Sequence, residues 1–122
     1  MIEKIKNVFR KNGYDYKLIA RNGMVAMYAQ MTNGVIGAYE VHKIRVKKAS
    51  KAIYHQIGKE PVEIMRPEQE ILAGNGEFGM YGWGFQTKTD AITKYEELGG
   101  KYVEWMGDKS VMCIGRLIYR IL

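Results

Sequence analysis

The chain is poor in the residues that staple small proteins together. A single cysteine among 122 residues excludes an internal disulfide framework and fits a reducing compartment. Two histidines and that cysteine, at positions 42, 55 and 113, lack metal-ligand spacing, so neither a metal nor a cofactor is expected. Prolines number only two, Pro61 and Pro67. No run approaches the roughly 18 apolar residues that span a bilayer. The start, Met-Ile-Glu-Lys-Ile-Lys, has no apolar signal core, so a cytoplasmic protein without membrane attachment is expected. Acids are scarce in the first half. Residues 1–59 carry twelve Lys/Arg against Glu3, Asp15 and Glu40, while residues 60–122 carry seven Lys/Arg and ten acids.

What is present describes one α+β domain over residues 1–122, by length. Apolar content of 47% and charged content of 26% suffice for a core without staples. The net charge of +6 and a pI near 9.4 favour an anionic partner: nucleic acid, a nucleotide-like ligand or an acidic protein surface. The same charge also serves plain solubility.

Residues 2–12 read as an amphipathic N-terminal helix, with Ile2, Ile5, Val8 and Phe9 at helical spacing and Asn12-Gly13 as its stop. Asn22-Gly23 and Asn33-Gly34 sit between strand-like runs and signal hairpins. They predict a three-stranded antiparallel meander over about 14–21, 24–32 and 35–48. On the third strand, Ile44 and Val46 mark the core face. Residues 52–73 are ambiguous: Ala52–Ile57 suits a strand, and Pro67 opposes a continuous helix through 62–72. Asn75 suits the N-cap of a single turn over 76–81, and Trp83–Phe85 a brief strand. Thr87-Lys-Thr-Asp90 resembles a capping box before a helix near 88–98, which Gly99-Gly100 ends. Tyr102–Met106 and Val111–Ile121 read as a closing hairpin around Gly107–Ser110, with a helix over 111–122 as the alternative.

Tyr28 and Gln30, then Tyr39-Glu-Val-His-Lys-Ile-Arg-Val46, then Glu70-Ile-Leu, Asn75, Phe78-Gly79, Trp83, Phe85, Thr87, Ala91 and Tyr95 form a combined pattern over residues 14–98. It resembles small proteins encoded by gut bacteriophages and prophages. The chain departs from that pattern at Ala73-Gly74, where Pro-Ser is expected, and at Gly82, where Ala is expected. The resemblance implies a phage-type accessory protein in a host cell and carries no activity and no catalytic residue. Counter-defence enters by analogy, through a blocked defence protein or a sequestered nucleotide signal.

Four groups of residues bear on chemistry. Lys43, Arg45 and Lys47 alternate along the third strand and form a basic stripe that can follow phosphates. A solvated face, or an edge strand guarded by lysines, gives the same pattern. Tyr81, Trp83 and Phe85 share a face if extended, and such rings stack on bases or fill a core. The predicted ligand-binding set is therefore Lys43, Arg45, Lys47, Tyr81 and Trp83. His42 with Glu40 on one strand face suits either a hydrogen-bonded core histidine or the acid–base group of a small basic nuclease. Met24, Met27 and Met31 crowd the second strand; if both its faces are apolar, a homodimer is one way to cover the second. The function expected is non-catalytic binding of an anionic ligand, with a protein–protein inhibitor of a host defence or replication protein as the alternative.

Overall fold

Apolar runs separated by Asn-Gly pairs fold as antiparallel hairpins in the computed structural model, which describes residues 2–105, 111–114 and 117–120. The described strands are β1 (Val8–Lys11), β2 (Tyr14–Asn22), β3 (Val25–Thr32), β4 (Val35–Lys43), β5 (Arg45–Lys47), β6 (Ser50–Tyr54), β7 (Val62–Arg66), β8 (Gln69–Ile71), β9 (Gly82–Phe85), β10 (Val103–Trp105), β11 (Val111–Ile114) and β12 (Leu117–Arg120). One α-helix, α1 (Lys88–Glu97), joins them, so the fold is α+β and mostly antiparallel sheet. Among the described residues, no helix is long and apolar enough to cross a membrane.

The chain forms two compact units. One comprises Lys6–Ile44 and the described residues from Leu72 onward; the other comprises residues 2–5 and Arg45–Ile71.

The first unit is built on a five-stranded sheet in the order β1-β2-β3-β4-β9. Its turns follow from backbone chemistry. Asn12-Gly13 and Asn33-Gly34 both take positive φ at each position and close two-residue hairpins, Lys11↔Tyr14 and Thr32↔Val35. The remaining turn is Gly23-Met24, with Asn22 still inside the ladder opposite Val25.

The expected N-terminal helix is thus replaced by strand β1. The positive φ that can end a helix at Asn12-Gly13 instead reverses a hairpin. That pairing stacks Phe9 on Tyr16 with ring centroids 4.9 Å apart. The third meander strand also ends early, at Lys43. β3 starts at Val25, opposite Lys43, so the ladder runs out of partner, and Ile44 N–H turns to the Met24 carbonyl at 2.7 Å.

α1 packs on one face of this sheet. Thr87 caps it, its hydroxyl accepting Asp90 N–H at 3.2 Å. Ala91, Ile92 and Tyr95 meet Val25, Met27, Val41 and Tyr102 in the core, flanked by Ile19, Tyr39, Phe85 and Leu98. The Tyr95 hydroxyl donates to Asn22 Oδ1 at 2.6 Å, and the same oxygen accepts Lys101 N–H at 2.7 Å. One amide thereby ties the β2–β3 turn to the helix and to the chain leaving it. Gly100 is required beside that ring, because a Cβ there would stand 2.4 Å from Tyr95 Cε2. The closing segment is a three-stranded antiparallel meander, β10-β11-β12, in place of the expected hairpin and of the helical alternative over 111–122. The turn expected at 107–110 lies outside the described residues.

The second unit is a long β-ribbon. β5 pairs with β8 and β6 with β7 in one unbroken register, Lys47↔Gln69 leading to Ser50↔Arg66. Only Lys48-Ala49 and Pro67-Glu68 interrupt it, where proline lacks a donor. Glu3 bridges Gln69 in parallel at the base, accepting Glu70 N–H and donating to the Glu68 carbonyl, both at 2.8 Å. The buried Glu70 carboxylate accepts Ile5 N–H at 3.1 Å and faces Lys4 Nζ at 3.7 Å. Val46, expected on a core face, is exposed here.

Candidate functional site

Three places in the structure gather chemistry. The first is the sheet face opposite α1. Cross-strand pairing sets Tyr16 beside Gln30 and Tyr28 beside Glu40, and Glu40 and His42 share that face. Gln30 Nε2 donates to the Tyr16 hydroxyl at 2.8 Å, which donates to Glu40 Oε2 at 3.3 Å. Glu40 Oε1 lies 3.0 Å from His42 Nε2, and His42 Nδ1 is 3.1 Å from the Ala73 amide nitrogen. A backbone amide can only donate, so Nδ1 is the acceptor and Nε2 carries the proton given to Glu40. Rings pack edge-on around the network: Tyr28 against His42 and His42 against Phe78. Burial, reinforced by Glu40, pushes the Tyr16 phenol upward; its bond from Gln30 works the other way.

Within this geometry His42 is 2% exposed and both ring nitrogens are engaged. A general base needs an accessible lone pair within reach of its proton. His42 offers none, and it acts as the hydrogen-bonded core histidine of the two readings. Ala73 supplies the partner. No sequence signal marks that, since it stands 31 residues away. Among the described residues, no group of three His, Cys, Asp or Glu side chains could hold a metal ion.

The second place is the β4–β9 seam. Val41 pairs with Trp83 and Tyr39 with Phe85, so both rings face α1. Phe85 packs against the core, and Trp83 is half-buried with Lys94 Nζ 4.4 Å from its ring centroid. Lys43 N–H donates to the Tyr81 carbonyl at 2.9 Å, one step beyond the ladder. The structure therefore brings Lys43, Tyr81 and Trp83 to one seam. Arg45 and Lys47 are not on it; they lie in β5 of the ribbon unit. The period-two stripe spans the strand break at Ile44 and belongs to two sheets.

The third place is the ribbon itself, which composition alone left unread. Every residue of β7 and four of five in β6 are exposed. Tyr54, Val62 and Ile64 share one face with Ala52; Ile53 and Met65 share the other with Lys51 and Glu63, which pair at 2.7 Å. Ile53 is 58% exposed, Met65 65%, and Ile57 in the tip loop is fully exposed. Arg66 donates to the Tyr54 hydroxyl across the strands.

A further cleft of about 350 Å³ opens beside β2, lined by Asn7, Val8 and residues 17–21, where β1 no longer covers the strand. No protein-family model matches the chain, and comparison with curated proteins and with solved structures finds no similar one.

Proposed function

We propose that this chain is a non-catalytic binding protein that engages another protein through the β6–β7 ribbon. The observation that carries this reading is the display of Ile53, Tyr54, Ile57, Val62, Ile64 and Met65 to solvent on a two-stranded element and its tip loop. An isolated two-stranded ribbon is marginal in water. Clustered apolar side chains rimmed by charge mark interaction surfaces. Fully burying one such side chain contributes about 1.5–3 kcal/mol, so covering these half-exposed ones contributes about 1 kcal/mol each. The phage-type resemblance supplies the setting: an accessory protein in the host cytoplasm acting on a defence or replication protein.

The test is retention of a host protein on the immobilised full chain, compared with a variant carrying Ile53→Ser, Ile64→Ser and Met65→Ser. The account expects a discrete protein retained on the parent chain and its loss from the variant, at unchanged circular dichroism. Equal retention by both refutes it.

A second reading has its own observation. Lys94 over Trp83, with Lys43 and Tyr81 on the same seam, offers cations and flat rings to a nucleotide-like anion. It predicts a nucleotide-sized species in the heat-released fraction of the purified protein, and Trp83→Ala would abolish it. A fraction free of nucleotide removes this reading.

A further inference from the structure

The ribbon's charges are sorted by strand. Residues 45–59 carry Arg45, Lys47, Lys48, Lys51 and Lys59 and no acid, whereas residues 60–71 carry four glutamates and Arg66. β6 pairs with β7 on one side, and its other edge has no ladder partner among the described residues. The single register also sorts side chains by face. Arg45, Lys47, Lys51 and Ile53 alternate with Val46, Ser50, Ala52 and Tyr54.

From this we infer that the outer edge of β6, with the adjoining end of β5, is the docking edge for an extended acidic segment of the partner protein. In that segment acidic side chains alternate with apolar ones. The inference rests on the ribbon being the partner surface. An added strand would satisfy the open backbone groups of β6, and its side chains would meet their cross-strand neighbours on each face. Acids fall beside Lys47 and Lys51, and apolar groups beside Ala52 and Tyr54.

Charge and backbone separate this occupant from others. Two-fold pairing of the 45–59 arm with a second copy brings together two segments that each carry five cations and no acid. Nucleic acid has no peptide backbone to complete the open edge of β6 and no apolar side chains to meet Ala52 and Tyr54.

The experiment uses the full chain and three probes: a blocked decapeptide alternating Glu and Val, its Lys–Val counterpart, and a single-stranded DNA 10-mer. Binding is followed by calorimetry and amide hydrogen exchange. The Glu–Val peptide is expected to bind at least tenfold more tightly than the Lys–Val peptide, to weaken with salt, and to protect alternate amides of β6. The double variant Lys47→Glu/Lys51→Glu should reverse the peptide preference while circular dichroism shows the fold retained. Equal binding of both peptides, tighter binding of DNA, protection that spares β6, or self-association that protects β6 would each overturn the inference. If the serine variant above loses its host protein while β6 shows no alternate protection, the edge assignment fails and the ribbon reading stands. If that variant keeps its host protein, the ribbon reading itself fails.

Discussion

Replacing His42 with alanine distinguishes a structural histidine from a catalytic one. The ring is buried, accepts the Ala73 amide and donates to Glu40. Its removal leaves the Ala73 N–H without its acceptor, which costs about 1–3 kcal/mol. Glu40 keeps the Tyr16 hydroxyl but loses its other donor, for about 1 kcal/mol more. The space among Tyr28, Phe78 and the sheet adds a cavity cost of about 1 kcal/mol. The loss is therefore roughly 3–5 kcal/mol, a large share of a total that is ~5–15 kcal/mol for a domain of this kind. Urea denaturation followed by circular dichroism at pH 7 measures it directly, and the melting temperature should fall by about 10–20 °C. Nitrogen NMR of the parent protein should show Nδ1 unprotonated and Nε2 protonated. A variant within about 0.5 kcal/mol of the parent would refute the reasoning, because a cost that small belongs to a surface site.

Other outcomes follow from the α1 side of the sheet. Burial raises the Tyr95 phenol to about 12, so the folded chain keeps a proton that the unfolded chain loses above 10. Stability should be at its full value below pH 10 and fall by about 2 kcal/mol between pH 10 and 12, and Tyr95→Phe should flatten that decline. Gly100→Ala drives a methyl into the Tyr95 ring and should cost about 2 kcal/mol or more by chemical denaturation. Thr87→Ala removes the α1 cap and should cost about 1 kcal/mol in the same assay. The triple serine variant of the ribbon should cost roughly 2 kcal/mol, from the covered part of Ile53, Ile64 and Met65, and leave the chain folded by circular dichroism.

What the sequence disclosed and what it hid have physical reasons. Thr87 and Asp90 mark the start of α1 as a capping pattern predicts, because a cap is a local device. Asn33-Gly34 likewise announced its hairpin. Asn12-Gly13 misleads as a helix stop because the same left-handed backbone ends helices and reverses hairpins, and Ile2, Ile5, Val8 and Phe9 happen to match helical spacing. Glu40 and His42 could be placed on one face by alternation, but the acceptor role of Nδ1 depends on Ala73, which no local pattern reveals. The stripe through Lys43, Arg45 and Lys47 misled because alternation carries no mark of where a ladder ends; Val25 sets that end from another strand. The ribbon stayed hidden because neither of its faces lies on a core, so no clean apolar–polar alternation was written into residues 50–66.

The ribbon carries the account's central claim, and site-directed photocrosslinking tests it most directly. A photoreactive amino acid is placed at Met65 on the ribbon, or at Val35, an exposed position on the first unit's sheet, and each chain is irradiated in cell extract. The account predicts one discrete protein adduct from position 65 and none from position 35. Adducts of equal yield from both positions, or a nucleic-acid adduct from position 65, would contradict it.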